Sequence, residues 1–376
     1  MADSATAQQE TLAQTPLYDL HVAHGARMVP FASYSMPVQY KSGIIAEHLH
    51  TRGKAGLFDV SHMGQAVLSG PEAARALERL VPADLAGLPP GRQRYTQFLD
   101  DDGGIVDDLM VTRLPGAEER LGLVVNAANR ESDFAHLRAS LPDMKLEVLA
   151  DRALLALQGP KAAEVLSRVL PDIETMAFMS WREVRWDGTP LFVSRSGYTG
   201  EDGYELSVPA GQARAFTERL LEDERVALIG LGARDSLRLE AGLCLHGHDI
   251  DTSTTPIEAG LAWSIQKRRR QEGGFPGARR IRRELAEGPK RRRVGLELAG
   301  KVPAREGAEV TAPDGRKAGR ITSGGFAPSL GRPIAMAYVE SAYAAPGTAL
   351  NIIVRGTPLA ARVVPMPFVP HRYFRG

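Results

Sequence analysis

The sequence predicts an α+β protein in which one β-α-β-β-β-α unit occurs twice and is followed by a small antiparallel β domain. Three observations carry this. The segment Ser69-Gly70-Pro71-Glu72-Ala73-Ala74 recurs in form as Gln158-Gly159-Pro160-Lys161-Ala162-Ala163. After each copy the apolar period changes from helical to alternating. From Val294 onward, short β-rich runs are separated by turn signals such as Pro313-Asp314-Gly315 and Pro346-Gly347.

In the first copy Ala66-Val67-Leu68 forms a strand, and Pro71 then opens a helix at a position where a missing N–H costs nothing. That helix ends near Pro82. Strands follow near 94–99, 105–113 and 121–125, and a helix around 130–140 closes the unit. The second copy repeats the order: a strand at 154–157, a helix ending near Pro171, strands near 178–186, 190–196 and 203–208, and a helix around 211–222. The halves span approximately 55–145 and 150–265 within a body of residues 1–285. Residues 286–376 form the β domain, a barrel or sandwich. Each unit has one apolar sheet face to cover, so the two pack together and a site at their junction is expected.

Composition limits the function. Hydrophobic residues make up 43% of the 376-residue chain, enough for several cores. Lysine plus arginine (46) balances aspartate plus glutamate (45), so no global field draws the chain to nucleic acid or an anionic membrane. No run approaches the ~18 apolar residues of a membrane span. Cys244 is the single cysteine, which excludes an internal disulfide or cysteine-built zinc site and suits a reducing compartment. Residues 1–14 are expected to be a frayed polar tail, unlike a secretory signal or transit peptide. The one local excess of charge lies between 267 and 293, where twelve basic residues meet only Glu272, Glu284 and Glu287. Without interleaved aromatics it reads as a solvated face or a dock for an acidic partner.

Several segments could carry chemistry. Asp102-Gly103-Gly104 marks a hairpin turn. Beyond it Asp107 and Asp108 sit in an apolar strand, where aspartate is a poor strand former and adjacent side chains face opposite ways. On pattern alone either acid, or a charged edge, fits. Arg195-Ser196-Gly197-Tyr198-Thr199-Gly200-Glu201-Asp202-Gly203-Tyr204-Glu205 reads either as a tight loop or as a backbone held open for a flat ligand with a carboxylate on the next strand. Leu231 to Glu240 is a helix with buried leucines and exposed arginines. Gly230-x-Gly232 lacks the third glycine of a dinucleotide fingerprint. The pairs His48-x-His50 and His246-x-His248 have no zinc-site spacing, so no metal is expected. Ser61-His62 lacks a nucleophile elbow.

Together, Gly56-Leu57-Phe58-Asp59-Val60-Ser61-His62-Met63, Gly103-Gly104-Ile105-Val106-Asp107-Asp108-Leu109, Gly197-Tyr198-Thr199-Gly200-Glu201-Asp202-Gly203, Gly232-Ala233-Arg234-Asp235-Ser236-Leu237-Arg238-Leu239-Glu240-Ala241-Gly242 and the closing Met366-Pro367-Phe368-Val369-Pro370 resemble the aminomethyltransferase (glycine cleavage system T-protein) family, in order and approximate spacing, over about residues 15–376. The resemblance implies a three-domain cloverleaf: two ferredoxin-like halves and a C-terminal antiparallel β-barrel around a central funnel for tetrahydrofolate. It implies transfer of the aminomethyl carbon from the lipoyl arm of the H-protein to tetrahydrofolate, with ammonia and 5,10-methylenetetrahydrofolate as products. Residue by residue it makes Asp108 the catalytic carboxylate. It makes Glu205 and Arg234 partners of the pterin, Tyr95, Tyr198 and Trp263 flat walls, and Met63 and Asn126 further lining, while Arg293 and Tyr373 match tail positions that meet folate or substrate. The implied partner is the lipoylated H-protein, with the basic run as its expected dock. The implied compartment is the bacterial cytoplasm, or the mitochondrial matrix in a eukaryote. A sister activity, folate-dependent demethylation of a small sulfonium or methylamine compound, would use the same pocket without a lipoyl partner.

Overall fold

The computed structural model describes residues 12–376. Both copies feed one eleven-stranded sheet. The first copy contributes Arg92–Leu99, Ile105–Leu114, Arg120–Val125, Gly64–Ser69 and Lys145–Val148, in that spatial order. The second contributes Arg152–Gln158, Gly203–Pro209, Thr189–Arg195 and Ser180–Trp186. The halves join where Ser180 pairs with Arg92. Strand Ala55–Asp59 precedes the first copy in sequence but pairs with Arg152–Gln158 and Val226–Ile229 of the second. All five of its residues are buried, and a run covered on both faces carries no signal of which sheet it enters.

The helices after the repeated motif are short, Ala73–Leu77 and Ala162–Leu166. Pro71 and Pro160 lie in the turns before them rather than in the first helical turn. The turn is governed by the preceding glycine. Gly159 has φ +130°, and a Cβ there would stand 2.2 Å from the Lys54 carbonyl oxygen. A side chain is therefore excluded on two counts.

Each half builds its own core. Phe98, Leu109, Val111 and Leu123 pack under Phe134 and Leu137 of helix Arg130–Ser140, and Leu155, Leu157 and Leu206 pack under Phe216 and Leu220 of helix Ala210–Leu221. Complete burial of such a side chain stabilises the fold by about 1.5–3 kcal/mol. A third cluster, with Leu99, Ile105, Ile250, Leu261, Phe275 and Ile281, seats the 243–285 connection on the first half. Strands Arg291–Leu298, Arg332–Glu340, Lys317–Ala327, Glu309–Thr311, Ala349–Val354 and Thr357–Val364 close into a barrel, which leaves no open sheet edge. Its residues Ile334 and Met336 pack on Leu239, so helix Leu231–Glu240 is covered by the barrel as well as by the body.

Two further expectations are corrected. Residues 1–11 of the expected frayed tail lie outside the described residues, but Ala13 exchanges backbone hydrogen bonds with Ser33 and Ser35, so the end of that segment is tied down. The arginines of helix 231–240 are not exposed, because both sides of the helix are covered; Arg238 is 4% exposed. Part of the basic run is committed within the fold. Arg268 pairs with Glu78, Asp84 and Glu272, buried Arg269 reaches the Glu78 carbonyl, and Arg270 donates to the carbonyls of Ile265 and Ala262. These three arginines fasten the 267–272 helix to the first half and to the 262–265 turn.

Candidate functional site

The site grows from the pleat of strand Ile105–Leu114. Asp107 pairs with Phe98 and Asp108 with Gln97, so the two acids share faces with those partners. Asp107 is wholly buried beside the first half's core. Asp108 faces the other way with Tyr95, Gln97 and Met110 and keeps solvent contact. The Asn126 amide nitrogen donates to both carboxylates, 2.7 Å to Asp108 and 2.8 Å to Asp107, and the Tyr95 hydroxyl lies near Asp108. Burial, then the neighbouring Asp107 charge, push the Asp108 carboxyl up to about 6, against the pull of these hydrogen bonds.

Opposite stands the 195–205 loop. A Cβ on Gly197 would lie 1.9 Å from Gln158 Oε1, so only glycine lets the loop pass that side chain. The Gln158 side chain in turn donates to the Ser196 carbonyl and accepts from Thr199. Tyr198 is held by a hydrogen bond from its hydroxyl to the Cys244 carbonyl. The Arg234 guanidinium lies over the Tyr198 ring, 4.7 Å from its centroid. Glu205 accepts from Ser196 Oγ at 2.8 Å. Burial raises its carboxyl above the usual range, while Ser196 and the Arg234 charge hold it down. Among the described residues no carboxylate forms an ion pair with Arg234, although burial works against its charge. A half-buried cation of this kind calls for an acceptor from outside the chain.

The remaining expected residues are less uniform. Met63 lines the inner side next to Val124 and the cluster of Phe58, Val60 and Ala233. Trp263 is 59% exposed and stacks on Tyr95, centroids 5.5 Å apart, as an outer lip. Arg293 spends its donors on the carbonyls of Ala259 and Gly242, at 2.8 and 2.9 Å, and so fixes the segment that carries Cys244. Tyr373 stacks flat on Phe178 at 4.0 Å, in a tail where Arg372 bonds the Gly200 carbonyl through its backbone N–H. The structure thus groups Asp108, Asn126, Tyr95, Tyr198, Glu205 and Arg234, with Met63 and Trp263 at the margins.

Sequence reasoning passed over three contributors. His246 is 3.6 Å from Asp107 and bonded to Asn129, buried Asp133 lies against Asp107, and Cys244 lends its carbonyl to Tyr198. A signal existed for Asp133, which occupies the buried stripe of its helix with Phe134 and Leu137. The other members of the histidine pairs are committed elsewhere: His48 to Ser236, Glu240 and Ser329, His50 to the Arg225 carbonyl, and His248 to Glu306. Two open surface hollows of about 530 and 500 Å³ lie away from Asp108. In the first, Arg168 and Arg225 already pair with Asp223 and Glu164.

The chain matches two family models, the GCVT N-terminal domain over residues 17–269 and the glycine cleavage T-protein C-terminal barrel domain over 291–370. It is 50% identical to the mitochondrial aminomethyltransferase of Gallus gallus, covering 97% of this chain and 94% of that one. It is 46% identical to that of Flaveria anomala, over 98% of this chain and 92% of the plant protein. The crystal structure of glycine cleavage system aminomethyltransferase T from Bartonella henselae superposes with a TM-score of 0.91 at 47% identity, covering 97% of this chain and all of that one.

Proposed function

Because the chain belongs to the glycine cleavage T-protein family of aminomethyltransferases, we propose that Asp108 is the carboxylate at which its one-carbon transfer takes place. The chain is an aminomethyltransferase of the glycine cleavage system and uses tetrahydrofolate as acceptor. Its partner is the H-protein of that system, which we take to present the aminomethyl group on a lipoyl arm, with release of ammonia.

The residues present fit a pterin. Its amino and ring N–H groups require an acceptor, which Glu205 provides; its carbonyl requires a donor, which the uncommitted Arg234 guanidinium provides; its flat ring requires aromatic walls, supplied by Tyr95 and Tyr198. When bound, tetrahydrofolate supplies the nucleophilic nitrogen, so the chain needs no nucleophile of its own. The observation that carries the reading is the orientation of Asp108: a carboxylate held by Asn126 beside Tyr95 while still facing the open side. Ionised above about pH 6, it orients the reacting nitrogen and balances the positive charge that develops there. Trp263 over Tyr95 limits the access of water.

Incubation with aminomethylated H-protein and tetrahydrofolate should release ammonia and give 5,10-methylenetetrahydrofolate in equal amounts. Formation of 5-methyltetrahydrofolate from a sulfonium or methylamine donor would instead select the demethylase reading. Glu205→Gln should raise the Kd for tetrahydrofolate about tenfold or more, since a hydrogen bond to a charged group contributes about 1.5–3 kcal/mol. Equilibrium binding checks this, and an unchanged Kd removes Glu205 from the pocket. The relatives are named as mitochondrial proteins, and no helix among the described residues is long and apolar enough to cross a membrane. We place the chain in the mitochondrial matrix or, in a bacterium, the cytoplasm.

A further inference from the structure

Beneath the Asp108 carboxylate lies a second layer of acid that the reaction itself does not require. Asp107 is 0% and Asp133 2% exposed, one on strand Ile105–Leu114 and the other on helix Arg130–Ser140. Oδ2 of each is buried without a donor among the described residues, and the two carboxyl groups lie within hydrogen-bonding reach of each other. Two carboxylates cannot both stay ionised at that distance out of water, whereas one shared proton satisfies both orphaned oxygens. Oδ1 of Asp107 accepts from the Asn126 amide at 2.8 Å, and the same nitrogen donates to Asp108 Oδ1 at 2.7 Å and to the Asp108 carbonyl at 3.1 Å. These acceptors settle the orientation of the amide: its nitrogen must face the acids.

We propose that Asp107 and Asp133 hold one proton between them and act as a positioning pair, which fixes the Asn126 amide and through it the Asp108 carboxylate. This rests on Asp108 being the catalytic group. The pair has two consequences. It leaves a single negative charge under Asp108, which sets where that acid ionises. It also keeps Asp107 turned inward, so that only one carboxylate faces the open side. Burial, the hydrogen bond to Asp107 and the charges of Asp107 and Asp108 push the Asp133 carboxyl up to about 9, in keeping with an acid that retains its proton through neutral pH. The ionisable groups around Asp108 are Asp107 beside it, Tyr95 on the neighbouring strand, Asp133 on the helix, Tyr198 on the 195–205 loop, and Cys244 and His246 on the 243–249 segment.

The test is the pH profile of kcat for a set of variants assayed with aminomethylated H-protein. Asp133→Asn supplies a permanent donor to Asp107 and keeps the pair's charge, so kcat should stay within about threefold of the parent and the acid limb should not move. Asp133→Ala strips Asp107 of its donor, and kcat should fall about tenfold or more while KM for tetrahydrofolate changes by less than about threefold. Asp107→Asn combined with Asp133→Asn removes the pair's charge altogether, so that Asp108 ionises at lower pH and the acid limb should move down by about one unit. An Asp133→Asn enzyme as impaired as Asp133→Ala would overturn the proposal, because a shared proton would then not matter. A limb that drops with Asp133→Asn would overturn it too, since both acids would then be ionised in the parent. An unmoved limb in the doubly substituted enzyme would do the same. Asp108→Asn, run alongside, separates the two levels: if it retains full turnover the assignment of Asp108 fails, and if it is inactive the outcome for the other variants bears on the pair alone.

Discussion

Asp108→Asn is expected to lower kcat by about 10²–10³-fold while leaving the Kd for tetrahydrofolate within a few-fold of the parent. The magnitude is that of removing one preorganised electrostatic partner from a shielded reacting centre. The substitution is nearly isosteric. Asparagine can still accept the Asn126 hydrogen bond, so the strand and its neighbours stay in place and only the charge is lost. Binding should survive because Glu205, Arg234 and the aromatic walls are untouched. The parent acid limb should fall near pH 6, where Asp108 gives up its proton, with activity lost as pH falls through it and retained above. A substrate titration at two pH values separates kcat from KM. A large rise in Kd with kcat preserved would make Asp108 a binding residue rather than a catalytic one.

Arg238→Leu should cost about 3–5 kcal/mol of stability, the range for stranding one member of a buried ion pair. Arg238 reaches Asp249 Oδ2 at 2.7 Å, and that oxygen also accepts from Leu245 N at 3.0 Å and Ser323 Oγ at 2.8 Å. Thr322 Oγ1 takes the other oxygen at 2.6 Å. One buried carboxylate therefore ties together the 231–240 helix, the 243–249 segment and the barrel strand Lys317–Ala327. Stripped of its cation, Asp249 is left charged at 1% exposure. The midpoint of urea unfolding should fall sharply, and Arg238→Leu combined with Asp249→Leu should recover part of the loss, because it removes the stranded charge as well. Since the 243–249 segment carries the Cys244 carbonyl that anchors Tyr198, the single variant should also bind tetrahydrofolate less tightly at temperatures where it is still folded. An unfolding midpoint equal to the parent's would show that the barrel is fastened by its apolar contacts alone.

What the sequence disclosed follows from which forces are local. The duplicated Gly-Pro turn, the alternation of strands 105–113 and 190–196, and the turn-punctuated tail are short-range patterns, and they located most elements to within a few residues. The sheet that Ala55–Asp59 enters was not legible because a run buried on both faces has no inward–outward alternation to reveal its neighbours. The arginines at 234 and 238 were misplaced because helical period identifies one buried face, whereas this helix is covered on both sides by domains distant in sequence. The same reason hid the pairing of Arg268 with Glu78 and Asp84. At the site, the choice between Asp107 and Asp108 depends on pleat phase, which a one-residue slip reverses. The register Gln97 to Asp108 turns Asp108, rather than Asp107, toward the open side. Asp133 was readable as an acid in an apolar stripe, but its partner across the fold was not.

The most direct test is a crystal structure of the chain with tetrahydrofolate bound. The pterin should lie between Tyr95 and Tyr198 with its amino edge on Glu205, and a reacting nitrogen should stand about 2.6–3.2 Å from an Asp108 carboxylate oxygen. A pterin seated away from these residues, or an Asp108 side chain turned to bulk water with the ligand in place, would contradict the account.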